Sequence, residues 1–153
     1  MGDPRVDGAD LVRTDETVTR MALSRAECIE LLGAAHLGRL VLSIDCLPAA
    51  RPVLLALMGD RMIAAIGPGP EVEALERGDV VALEIDGRES DGRGTWSVRV
   101  TGTAHRPRWD REFASQLAET QLAPLLSAQT PLLELTTEVI DGERTSYLPR
   151  LDR

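Results

Sequence analysis

A chain of 153 residues with a net charge of −8 fits one globular domain, and its acidic field argues against a nucleic-acid partner. Hydrophobic residues make up 43% and aromatic residues only 3%, so Leu, Val, Ile and Ala must fill the core. All 17 basic side chains are arginine; the missing lysine excludes Schiff-base, P-loop and lysine-base chemistry, while arginine suits the clamping of phosphate or carboxylate. No apolar run reaches bilayer length and no signal-peptide core is seen, which predicts a cytoplasmic protein with no membrane partner and with Cys28 and Cys46 reduced. Two cysteines and two distant histidines, His36 and His105, lack metal-ligand spacing, so no metal site is expected.

Residues 1–19 are polar and acidic and are expected to form a flexible tail, with the folded domain spanning residues 20–153. Ser24 and Glu27 make a capping box, which predicts a helix with Cys28, Leu31, Leu32 and Ala35 on its apolar face and Gly38 as its stop. A β-rich run follows over 39–45, then a turn over 46–50, then a nearly continuous apolar strand over 51–58. Gly59-Asp60 reads as a tight turn into a return strand over 61–66. GPGP at 67–70 leads to a short helix over 71–77, closed by Gly78, and then to a strand over 79–86.

Residues 94–104, GTWSVRVTGTA, show the cleanest alternation in the chain. Trp96, Val98 and Val100 face one way, and Ser97, Arg99 and Thr101 the other. Two readings stand side by side: a central strand with Trp96 in the core, or a strand whose side chains meet a flat ligand at one end. Asp110 caps a helix with Ala114, Leu117, Ala118 and Leu122 on its buried stripe, ended or kinked at Pro124. Residues 132–140 read as a strand, Asp141-Gly142 as a hairpin turn and 144–148 as the last strand. The fold class is therefore mainly β with flanking helices, mostly antiparallel, and closure into a barrel would remove exposed edges.

Four stretches carry a resemblance: LSRAECIELLGAAHLGRLVLS, ARPVLLAL, GTWSVRVTGTA and TPLLELTTEVIDGERTSYL. Their order and spacing resemble the FMN-binding split β-barrel of the pyridoxamine 5′-phosphate oxidase-like family, over about residues 22–148. The resemblance implies a homodimer holding FMN, or in some branches a deazaflavin, in clefts at the subunit interface. It places Arg51 at a phosphate-contacting position and Val53 and Leu54 beside the cofactor ring. Ala65, Ile66 and Gly67 would sit near the ribityl phosphate, and Trp96 and Ser97 against the cofactor.

The chain also departs from that family's pattern. Where flavin-binding members carry a basic cluster after the third strand, this chain has Pro70-Glu71-Val72, with Glu73 next. A phosphate would meet like charge there, at a helix start whose dipole Glu71 and Glu73 already complement. The substrate motif of true pyridoxamine phosphate oxidases, a C-terminal Trp and Arg-His, is absent, so oxidation of pyridoxamine phosphate is not expected. Two functions remain open. One is a flavin- or deazaflavin-dependent oxidoreductase, in which the cofactor supplies the chemistry. The other is a dimeric split-barrel binding module that has lost the flavin phosphate site. The plainer readings are a strand-edge Arg51, a cross-strand hydrogen bond from Ser97 and a helix-start Glu71.

Overall fold

The computed structural model describes residues 16–127 and 129–149. Eight strands, β1 (Glu16–Ala22), β2 (Leu37–Ile44), β3 (Leu47–Met58), β4 (Arg61–Ala65), β5 (Val80–Arg88), β6 (Gly94–Thr103), β7 (Leu132–Thr136) and β8 (Val139–Pro149), form one sheet. Its order is β1-β8-β6-β5-β2-β3-β4-β7. Every strand pairing among the described residues is antiparallel. The helices are α1 (Arg25–Ala34), α2 (Pro70–Arg77) and α3 (Arg111–Ala118), with a 3-10 turn at Ala123–Leu126.

The sheet curls because β7 returns to the end of β6. His105, just past β6, donates its N–H to the Glu134 carbonyl at 3.1 Å, and the Glu134 N–H donates back at 2.8 Å. Two strands that open the sheet order thus lie outside a barrel made of β6, β5, β2, β3, β4 and β7. This is the mostly antiparallel, split-barrel architecture expected above. Inward-facing Leu40, Leu55, Met62, Leu83, Val100 and Leu133 are fully buried and form its core. α1 adds Cys28 and Leu32 to that core, and α2 adds Ala74 and Leu75. α3 packs on the outer side instead, where Phe113 and Leu117 cover Ala56, Ile63 and Leu132.

The local chemistry explains most boundaries. Ser24 and Glu27 form the expected capping box: the Glu27 N–H donates to Ser24 Oγ at 3.3 Å and the Ser24 N–H to Glu27 Oε2 at 2.8 Å. Asp110 caps α3 through the Phe113 N–H at 2.8 Å. Pro48 and Pro52 sit inside β3, which is tolerated because β4 pairs only with Leu54–Met58, leaving the first half of β3 with a free edge.

Several expectations are corrected. α1 ends at Ala34 with Ala35 as its cap, and Gly38 lies within β2. The turn after β2 is only Asp45-Cys46, both at positive φ (50° and 63°), so residues 47–50 belong to β3. Asp141-Gly142 is not a hairpin turn. The chain turns earlier, after Thr136, and both residues lie inside β8, where Gly142 pairs with Val98. Glycine is needed there for space: a Cβ would stand 2.7 Å from Cys28 Sγ and 3.0 Å from the Ser97 carbonyl. Nor do β7 and β8 pair with each other; β7 lies on β4, and β8 lies between β6 and β1.

The expected tail is also cut short. Residues 16–19 belong to β1, which pairs with β8 from Glu16↔Pro149 to Ala22↔Glu143. Residues 16–19 therefore belong to the folded domain, and the rest of the proposed tail, residues 1–15, lies outside the described residues. β1 exposes Val18 and Met21, so its ladder hydrogen bonds, not burial, hold it. Deleting residues 1–22 is expected to cost about 2 kcal/mol, which lowers the melting temperature by roughly 4–8 °C. Differential scanning calorimetry checks this, and an unchanged melting temperature would show that β8 does not need its outer neighbour.

Candidate functional site

Strand alternation and sheet order spread the residues expected at the site over several places. Val53 and Ile66 point into the core, 5% and 1% exposed, so a ligand could reach only their backbone. Leu54 and Ala65 are register partners on the outer side, where Leu54 is 48% exposed and pairs with Leu37, 63% exposed. Arg51 shares the inward-facing parity of Val53 but lies farther along β3, past the end of β4, with a half-exposed side chain.

Trp96 and Ser97 stand across the sheet, on β6, with β5 and β2 between them and β3. Trp96 packs its ring over Gly87, its register partner, where a Cβ would come within 2.5 Å of the ring. It is partly buried and packs against the main core. Its outer part also lines a depression of about 390 Å³ with Ser97, Asp86, Arg88 and Thr145. A second depression of about 320 Å³ is lined by Leu37, Gly38, Arg39, Pro52 and Asp86. Asp86 lines both, so the two depressions are neighbours on the face crossed by β6, β5, β2 and β3, with the Arg39–Asp86 pair between them.

Two arginines of the outer face lie outside the expected site residues, and Arg39 lines the second depression. Arg39 reaches Glu84 at 3.3 Å and is also bonded to Asp86, and these carboxylates hold its guanidinium pKa above the ordinary arginine value. The only sequence signal was the Gly38-Arg39 pair, because the partners are more than forty positions away. Arg99 is likewise paired with Asp141 at 3.2 Å. The outer face is thus a ladder of alternating charges with an apolar border at Leu37, Pro52 and Leu54. A larger depression, about 430 Å³, lies elsewhere, beside Trp109, Arg106 and Pro131, and holds none of the expected site residues.

Past the end of β4, α2 begins with Pro70, and Glu71 follows in its first turn. Glu71 is only 8% exposed, and its Oε1 lies 3.2 Å from Arg51 Nε. The cation expected to hold a phosphate is therefore already paired with a carboxylate of the same chain. A Cβ built on Gly67 would meet nothing within 4 Å, and one on Gly69 would meet only Glu71 Oε2, at 4.0 Å. The space in front of α2 is open, and the anion nearest to it is Glu71. Glu73 adds a second acidic group to the same turn. These residues do not fit a phosphate monoester at α2.

An antiparallel barrel split between β6 and β7, with an open groove on its outer face, defines the split-barrel class of flavin-binding folds. The chain belongs to the pyridoxamine 5′-phosphate oxidase family, whose model matches residues 24–142. The uncharacterised protein Rv0080 of Mycobacterium tuberculosis is 37% identical over 87 residues, which make up 54% of this chain and 57% of that protein. The chain therefore matches little more than half the length of that relative. An FAD-binding protein from Mesorhizobium loti superposes with a TM-score of 0.69 at 23% identity, covering 85% of this chain and 99% of that one. An FAD- and heme-binding protein from Mycobacterium smegmatis gives a TM-score of 0.67 at 20% identity, covering 87% and 76%. At these identities the likeness speaks for the fold.

Proposed function

We propose that this chain is a homodimeric flavin-binding protein of the family, serving an oxidoreductase reaction other than pyridoxamine phosphate oxidation. The observation that carries this reading is the pair of neighbouring depressions that share Asp86, one lined by Trp96 and Ser97 and the other by Leu37, Arg39 and Pro52. A bound flavin would bring the hydride or electron transfer itself. This chain's part is to hold the ring: Leu37, Pro52 and Leu54 supply an apolar face, and Ser97, Arg39 and Asp86 supply polar groups for its edge. Exposed Leu37 and Leu54 form a paired apolar patch that a second copy would cover. A cytoplasmic location accords with the free thiols of Cys28 and Cys46, and the net charge of −8 argues against nucleic acid as partner.

Titration with riboflavin, FMN and a deazaflavin, followed by flavin fluorescence, tests the ligand. Light scattering is expected to give twice the 16.6 kDa chain mass. Leu54→Asp alters an exposed side chain, so the fold should persist while the dimer dissociates and flavin affinity falls by roughly tenfold or more. A monomeric wild type that binds no flavin would overturn the proposal. The Arg51–Glu71 pair favours a second reading, a split-barrel module for a less anionic ligand that is not a flavin. Binding of no flavin by an intact dimer would select it.

A further inference from the structure

At a helix N-terminus beside an arginine, the helix dipole and the guanidinium both favour negative charge. In this chain the anion is built in. Glu71 lies in the first turn of α2, is more than nine-tenths buried, pairs with Arg51 at 3.2 Å and brings its Oε2 to within 4.0 Å of a Cβ placed on Gly69. The chain has no lysine to offer a second cation, and Glu73 adds another negative charge. A ligand phosphate could enter only by displacing a buried carboxylate from its partner, leaving that carboxylate unpaired or forcing it into solvent.

We propose that Glu71 is a specificity-determining residue: its carboxylate takes the anion position at α2, so the site selects flavin-class ligands whose side chain is uncharged at that point and rejects those ending in a phosphate monoester. This rests on the flavin reading above and adds to it the class of flavin. Glycines at 67 and 69 leave room for a hydroxylated side chain to pass, and Glu71 accepts hydrogen bonds from hydroxyl groups where it would repel phosphate. The chemistry of selection is a sign reversal: the same position that would reward a phosphate in a basic site penalises it here.

Riboflavin and FMN differ only by the phosphate, so their ratio of dissociation constants isolates the effect. For the full wild-type chain, riboflavin is expected to bind at least as tightly as FMN. Glu71→Gln removes the charge with almost no change in volume and frees Arg51. It is expected to tighten FMN by roughly ten- to a hundredfold while changing riboflavin by less than about threefold. The double variant Glu71→Gln with Arg51→Gln removes both partners of the pair, and the share of the FMN gain that comes from the freed Arg51 should be lost. Melting curves by circular dichroism confirm that each variant is folded. If Glu71→Gln does not fold, the double variant, which leaves no unpaired charge, carries the test: its FMN-to-riboflavin ratio should move toward FMN relative to wild type, through loss of the repulsive carboxylate. A wild type that prefers FMN by tenfold or more, or a Glu71→Gln variant with an unchanged ratio, would overturn the specificity claim and leave the flavin reading standing. Failure of riboflavin to bind any folded variant would instead overturn the flavin reading, and this inference with it.

Discussion

Gly38→Val is expected to destabilise the protein by more than about 3 kcal/mol, and in a domain of ordinary marginal stability this would leave little folded chain at 37 °C. Gly38 lies in β2 between β3 and β5, where the barrel wall is closely packed. A single Cβ there would stand 2.6 Å from Leu55 Cδ2, 2.8 Å from the Glu84 carbonyl oxygen and 3.0 Å from Ile85 Cγ2. The two side chains could shift only by opening the core, and the carbonyl is backbone held in the sheet. Valine adds two further methyl groups to a position that does not accept one. Gly38→Ala should already cost on the order of 1–3 kcal/mol. Urea unfolding of wild type, alanine and valine variants measures the series, and a valine variant as stable as wild type would show that β2 can move away from β5. Because Gly38 also lines the groove with Arg39 and Pro52, the alanine variant is the one to carry into ligand titrations.

Gly38 also shows where sequence reading succeeds and where it stops. As a glycine after an apolar helical run it had the look of a helix cap, and nothing in the neighbouring letters reveals that Leu55 and Glu84 crowd it. Gly142 is the same case: Asp-Gly is a strong turn signal, but here the small residue makes room for Cys28 Sγ. Both errors come from contacts between residues far apart in the chain. By contrast, the Ser24–Glu27 box, the Asp110 cap and the alternation over Trp96 to Thr101 depend on neighbours, and the structure has them where expected. β1 was hidden for another reason. Its residues bury little, so the segment carries no apolar pattern, and only β8 gives it order. At the site, the nearly continuous apolar run over 51–58 reads as buried on both faces and hides that Leu54 faces outward, and a strand reading alone could not say that Arg51 meets Glu71 or that Arg39 meets Asp86. The charge reversal at Glu71 was legible as a departure from the family pattern; the ion pair that gives it force was not.

Leu83→Ala is expected to lower the unfolding free energy by about 3–5 kcal/mol, the range for deleting a fully buried leucine side chain that leaves a cavity. Leu83 is 0% exposed and sits at the centre of β5, with Leu40 opposite on β2 and Val100 opposite on β6, both also fully buried. The walls of the cavity would be strands hydrogen-bonded on both sides, so they can collapse only partly, which places the cost toward the upper end. With aromatic residues at 3% of the chain, no neighbouring ring is large enough to swing in and refill the space. Leu37→Ala on the outer side of β2 is the matched control. Leu37 is 63% exposed, and for the isolated chain its truncation should change stability by less than about 0.5 kcal/mol. Urea midpoints at a concentration low enough to keep the chain monomeric compare the two. Equal losses for Leu83→Ala and Leu37→Ala would mean that the inside and outside of this barrel have been assigned to the wrong faces. A large loss for Leu37→Ala that appears only at high protein concentration would instead locate Leu37 in the dimer interface, because stability gained from a partner copy rises with protomer concentration.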